Sequence, residues 1–390
     1  METDRTRDQA PVSAGAAPLP AGTRLLHIGP HKTGTTAVQG ALFAARDRMP
    51  AYGVEFPAHS RHPMEAVLAA CARPAMMGDT VPTDRHWKRL LDQVAATGER
   101  TSVVSSEFFA DAGDEATVAR IVGQLGGDRV HVLVTLRPLT RIMPSQWQQY
   151  VQNGLRMGYE EWLEHMLRKP PYEKPTPTFW HRHRHDRLIE RWARVVGPDR
   201  VTVVVVDDRD RDALMRTFEA LLGLPGDLLQ PVPDTANRSL TLAEAEMLRN
   251  LNREFRGNGL PDELYSALVR NGAVPHLKNT CAPSPQDVRI GTPAWAVEAA
   301  AAIGARAAAR IGGTGVRVVG DLGLLSLAPP PADPAPGRAR LAPEAAARAL
   351  YGALAAAAAG PARTRGVHQT PSRELVKVLG HRCLKRLRRR

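Results

Sequence analysis

Four short apolar runs punctuate the first part of the chain, at residues 24–28, 102–106, 130–136 and 201–206, the later ones dominated by valine. None alternates regularly between apolar and polar residues, so they fit strands buried on both faces of a parallel sheet better than half-exposed ones. Between them, segments 36–46, 117–125 and 188–196 repeat apolar residues at helical spacing. Strands alternating with helices predict a three-layer α/β domain, a parallel sheet with right-handed crossovers. Sheets of this kind bind ligands beyond the carboxyl ends of their strands. Here those ends are residues 29–36, 105–107, Arg137 and Asp207.

Further along, 240–255 reads as a polar amphipathic helix, with residues 237–239 as its cap, and 316–322 as one more short strand and turn. From residue 328 the composition shifts to Pro, Ala and Arg. The expected organisation is a flexible leader (1–22), one folded domain (23–327) and a tail (328–390). Within that tail, 342–359 forms a marginal Ala-rich helix.

Charge sharpens this division. The chain of 390 residues carries +12, but residues 361–390 hold ten Lys or Arg against the single acid Glu374, a balance of +9. The rest is left with only +3, which argues against specific nucleic-acid binding by the body. Leu375, Leu379, Cys383 and Leu387 fall at helical spacing in a basic segment, 371–390, suited either to peripheral contact with an anionic membrane or to a flexible solubilising role. Gly380 weakens the helix. Cys71, Cys281 and Cys383 are too scattered for a disulfide framework or a metal motif. There is no signal-peptide pattern and no apolar run of about 18 residues. The expected compartment is the cytoplasm.

The most informative stretch is 29–36, GPHKTGTT, between the first apolar run and the first helix. A loop there points backbone N–H groups and the positive end of a helix dipole at an anion. Gly29 and Gly34 let the backbone approach closely, Lys32 adds a cation, and Thr35 and Thr36 add hydroxyls. The nucleotide-hydrolase P-loop needs Lys directly after its second Gly; Thr35 stands there, so this is not a Walker motif. A kinase or other P-loop phosphotransferase is the rival reading, with Asp207-Asp208 as its carboxylates, and a non-enzymatic binder acting through the basic tail is another.

Residues 30–36 resemble the PAPS (3′-phosphoadenosine 5′-phosphosulfate) loop of sulfotransferases, bacterial ones in particular, with His31 inserted between Pro30 and Lys32. Arg137 at a strand end and Ser145 eight residues later resemble the family's second signature. The resemblance extends to 192–224, 237–240 and 319–322, and it implies a P-loop-like sulfotransferase fold. It also implies that the loop from His31 through Lys32, Thr33, Gly34, Thr35 and Thr36 holds the 5′-phosphosulfate of PAPS. Lys32 would reach the leaving oxygen, and Arg137 and Ser145 the 3′-phosphate. PAP would be the desulfated product. One departure is Ala37, where cytosolic eukaryotic members carry a Trp that stacks on adenine. Another is the late Gly-rich phosphate loop, for which 256–259 (RGNG) is a weak counterpart.

Sulfuryl transfer needs an in-line acceptor, a base for its proton and cations on the leaving phosphate, and it demands no metal. Glu107, at a strand end on the loop's rim, is the first-ranked base; its other reading is a partner for Lys32 or Arg137. His62, with His59 nearby, is the second, since imidazole titrates near neutrality. The 181–185 tract, HRHRH, reads as a solvated, cation-rich helix start and not as a metal site, its alternating spacing suiting neither. The acceptor, a small molecule or a glycan bearing a hydroxyl or amine, is not specified by the sequence.

Overall fold

The computed structural model describes residues 16–75, 81–169, 176–210, 212–232, 238–330 and 340–359. Residues 1–15 of the expected leader and the basic segment 371–390 lie outside the described residues. Strands β1 (Arg24–His27), β2 (Val54–Glu55), β3 (Thr101–Ser105), β4 (Val130–Leu136), β5 (Val201–Val205) and β6 (Arg317–Val319) form one sheet in the order β2-β3-β1-β4-β5-β6. Every pairing is parallel, with Leu25 opposite Val103 on one side and His131 on the other. β1, β3, β4 and β5 are buried at every position, which is why none of them alternates along the sequence. The architecture is the expected three-layer α/β parallel sheet.

Helices α1 (Thr35–Ala45), α2 (Met64–Ala70), α3 (Asp84–Ala95), α4 (Glu115–Leu125), α5 (Leu139–Gln152), α6 (Tyr159–Leu167), α7 (Thr178–His183), α8 (His185–Val196) and α9 (Ala213–Leu222) follow in chain order. α1 and α9 pack together, and Phe218 of α9 meets the His27 ring of β1 edge-on at 5.1 Å. α8 covers β4 and β5 alongside α4. Val, Leu and Ala fill most of this core, as the low aromatic content requires.

A second core lies beside the sheet. There α5 and α6 join α10 (Leu242–Gly257), α11 (Asp262–Tyr265), a π-helical turn (Ser266–Ala273), α12 (Val274–Thr280), α13 (Ala294–Gly312) and α14 (Pro343–Ala359). Trp147, Tyr159, Trp162 and Phe179 stack within it, with ring centroids 5.1–6.2 Å apart. The sequence does not announce this core, because its apolar residues come from segments scattered between 139 and 349. α10 opens two residues later than expected: Thr241 and Glu244 form a reciprocal capping box, and Arg238 pairs with Glu244 at 2.8 Å. α14 packs on the π-helical turn and α12, so close packing continues past Leu327. Its Gly352 permits this, since a Cβ there would stand 2.6 Å from the His276 Cβ and 2.8 Å from the Gly272 carbonyl oxygen. No described helix is long and apolar enough to cross a membrane.

Candidate active site

β1 is flanked by β3 and β4. The loop that follows β1 therefore sits at the crevice where successive connections depart in opposite directions. Residues Ile28 to Gly34 fill that crevice, and Gly34, in a left-handed conformation, opens α1. The first turn of α1 carries no acidic residue, so its dipole is left for an external anion. Gly29 is required where it stands: its φ is +74°, and a Cβ would lie 2.9 Å from the Cα of Glu107.

The loop is fastened from below by a chain of buried polar groups. Ser105 Oγ meets His27 Nδ1 at 2.8 Å, and His27 Nε2 meets Thr135 Oγ1 at 3.1 Å. Thr135 Oγ1 lies 2.8 Å from Thr33 Oγ1, which donates to the Pro30 carbonyl at 2.6 Å. Burial pushes His27 down to about 4, so the chain stays neutral near pH 7. Thr33, expected to face phosphate, spends its hydroxyl on this anchorage and does not line the cavity. Sequence could not show which way that hydroxyl turns.

Above the loop lies a cavity of ≈ 630 Å³. His31, Lys32, Gly34, Thr35 and Thr36 line it from the loop and α1; Arg137 and Ser145 line it from the end of β4 and from α5. Glu107 and His62 complete the wall. Nine of the ten sequence-predicted residues thus share one cavity, the exception being Thr33. His59 does not line it, and neither does the Gly-rich stretch 256–259, which closes α10. Ala37 does line it.

Lys32 adopts a left-handed φ of +68° that residues with a Cβ rarely take, and its Nζ donates to Gln149 Oε1 at 3.1 Å. Burial pulls its ammonium down to about 8, helped by the nearby charge of Lys278 and opposed by Glu107. His31, edge-on to Phe108 at 4.9 Å, is held well below the ordinary imidazole range by burial first and then by Arg182 and neighbouring cations.

The two candidate bases are a pair. His62 Nε2 lies 3.5 Å from Glu107 Oε2 and 2.8 Å from Ser106 Oγ, with its ring stacked on Phe108 at 5.6 Å. Gln39 of α1 donates to Glu107 Oε2 at 3.0 Å. With the proton on Nε2, Nδ1 is the basic nitrogen of the ring.

Arg137 is partly engaged: its Nη2 donates to Asp208 Oδ1, and Asp208 also faces Arg141 Nε at 3.9 Å. Asp207-Asp208 therefore forms an ion-pairing turn, with Asp207 binding Arg209 at 2.7 Å. Yet Arg137 Nε, His31 Nδ1 and Asn153 Oδ1 are buried with no hydrogen-bond partner. Buried polar atoms on a cavity wall without protein partners can be satisfied by a polar ligand or by water.

Several residues of the wall escaped sequence reasoning. Gln146, Gln149, Tyr150 and Asn153 line the cavity from one face of α5. Their i, i+3, i+4, i+7 spacing was the available signal. Arg182 is the larger surprise. The 181–185 tract is not solvated: Arg182, His183 and His185 are 8%, 1% and 3% exposed. Arg182 grips buried Asp111 with two bonds of 2.5 and 2.6 Å, tying α7 to the turn that begins at Glu107. Among the described residues, no group of three or more His, Cys, Asp or Glu is arranged to hold a metal ion.

No protein-family model matches the chain, and no curated protein does. Among solved structures, a sulfotransferase from Alicyclobacillus acidocaldarius matches at 20% identity, covering 64% of this chain and 96% of that one, with a TM-score of 0.39.

Proposed function

We propose that the loop cavity is the active site of a sulfotransferase that moves a sulfuryl group from PAPS to a hydroxyl or amine of a small-molecule or glycan acceptor. The observation that carries this reading is convergence. A phosphate-type loop, an arginine and serine from the end of β4 and from α5, and a carboxylate–imidazole pair meet in one cavity. They come from four separate stretches of sequence.

The donor's chemical demands fit the residues present. Two separated anionic ends need two sets of donors. Lys32, Gly34, Thr35 and Thr36 with the α1 N-terminus would hold the 5′-phosphosulfate, and Arg137 and Ser145 the 3′-phosphate. PAPS supplies the activated sulfuryl group when bound; the remaining work falls to the chain. Lys32, still mostly protonated at neutral pH, supplies positive charge at the loop. His62 takes the acceptor's proton at Nδ1, while Glu107, fixed by Gln39, orients the ring and stabilises the imidazolium. The stack on Phe108 fixes the plane of that ring.

The test is calorimetric titration of PAP into the wild type and into the double variant Lys32→Ala, Arg137→Ala, without Mg²⁺. Micromolar binding by the wild type, lost in the variant, is the expected result. Folded wild type that ignores PAP but binds ATP with Mg²⁺ overturns the reading in favour of a kinase.

A further inference from the structure

We propose a second anion site, built from arginines of two facing helices, that takes a small organic ligand bearing several sulfate or phosphate esters. A cavity of ≈ 810 Å³ lies between α7, α8 and α13 and the end of α6. Arg184, Arg187 and Arg191 enter it from the start of α8, and Arg306 and Arg310 from α13. The spacings, i, i+3, i+7 on one helix and i, i+4 on the other, put each set on a single face. Five guanidinium groups thus share one cavity.

Asp186 is the one carboxylate lining this cavity, and it is already committed. Its side chain is 4% exposed and binds Arg184 at 3.3 Å and Arg310 at 2.9 Å. It acts as a scaffold that ties the head of α8 to α13. Arg191 Nε is buried without a hydrogen-bond partner. Among the described residues, no carboxylate pairs with Arg187 or Arg306, both exposed. Gathering like charges in this way costs free energy in the empty protein, and an anion entering the cavity recovers it.

Guanidinium forks match the oxygen pairs of sulfate and phosphate esters. Several forks spread over two helices match several esters on one molecule. Met166, Trp180 and Ile303 add an apolar wall suited to the ring that carries them. The volume falls in the range of small-ligand sites, ~300–1,000 Å³, and is too small for a nucleic-acid duplex. The site is separate from the loop cavity but adjoins it: His181 lines one and the next residue, Arg182, lines the other.

Sucrose octasulfate and inositol hexakisphosphate are the probes, titrated calorimetrically into the full chain at about 150 mM salt to screen diffuse attraction. The variants are Arg187→Glu with Arg306→Glu, and Arg187→Gln with Arg306→Gln in case charge reversal impairs folding. The wild type should bind one or both probes. Affinity should fall at least about tenfold on reversal and less on neutralisation, with circular dichroism unchanged. PAP titration, reporting the loop cavity, should not change in either variant, so failure here is distinguishable from failure of the sulfotransferase reading. The stronger probe identifies the ester. Absence of binding by both probes overturns the proposal. So does binding that both variants retain in full, which would place it on the basic tail.

Discussion

Replacing Lys32 with glycine should stabilise the ligand-free protein at neutral pH while destroying its affinity for the donor. Two costs are lodged at this residue. Its left-handed φ of +68° costs a residue with a Cβ about 1–2 kcal/mol. Its ammonium, pulled down to about 8 mainly by burial, costs roughly 1–2 kcal/mol once partial exposure is allowed for. Against these, glycine loses about 0.5–1 kcal/mol in chain entropy, and the bond to Gln149 is worth about 1 kcal/mol. The balance is a net gain of about 1 kcal/mol, or roughly 2 °C in Tm for a domain of this size.

The pH dependence separates the two costs. A lysine whose folded value lies below its unfolded value is a penalty fully present below about 8. That penalty fades as pH rises toward the unfolded value, because there the unfolded chain binds the proton that the folded one has lost. The advantage of Lys32→Gly over wild type should therefore shrink to about zero, or reverse, by about pH 9.5. Thermal unfolding of both proteins at the two pH values, with PAP titration alongside, is the assay. A variant that is several degrees less stable at pH 7 and still binds PAP refutes the reasoning, since Lys32 would then be a structural residue.

Other substitutions test the surrounding shell. Gly29→Ala should cost about 2–4 kcal/mol, combining left-handed strain with the 2.9 Å clash against Glu107; chemical denaturation measures it, and a loss under 0.5 kcal/mol would mean that the loop relaxes freely. Arg182→Ala leaves Asp111 buried and should cost about 3–5 kcal/mol; a near-neutral result in the same assay would show that Arg73, 4.0 Å away, takes over. Asp208→Asn removes a competitor for Arg137. Both groups are about one-third exposed, so PAP should bind at most about fivefold tighter in calorimetry; weaker binding would mean that Asp208 instead aims the guanidinium.

The strands, the loop and Arg137 were legible because each rests on a local signal. Unbroken burial removes alternation from β1, β3, β4 and β5, and a loop that needs Gly29 and Gly34 writes them into the sequence. Glu107 and His62 were legible as residues but not as partners. Their contact joins positions 45 apart, and only the placement of the turn after β3 brings them to 3.5 Å. The 181–185 tract misled for a related reason. Alternating His and Arg look solvated when counted one by one, yet Asp111, seventy-one residues away from Arg182, neutralises it and draws the tract inside. The second core was invisible because it is assembled from faces of many helices, none marked by a strong motif.

The loop's support bears on how any pH profile is interpreted. Ser105, His27, Thr135 and Thr33 hold the backbone at Pro30 through uncharged groups. Burial drives His27 down to about 4, and His185 to the same value. His31 and His183 are also pushed well below the ordinary imidazole range. Burial thus keeps all four imidazoles neutral near pH 7, and the contacts of His27 with Ser105 and Thr135 do not change as pH rises from there. Tyr150, on the cavity wall, is shifted by burial in the opposite direction, away from neutrality. The loop is thus a stiff cradle of neutral groups with its strain and its movable proton concentrated at Lys32. Donor binding should accordingly take up about half a proton at pH 8, where the free lysine is half-protonated and the bound one fully charged. Calorimetry of PAP in buffers of differing ionisation enthalpy reads that number directly. Zero uptake at pH 8 would mean that the anion does not sit against Lys32, and the loop would lose its assigned role.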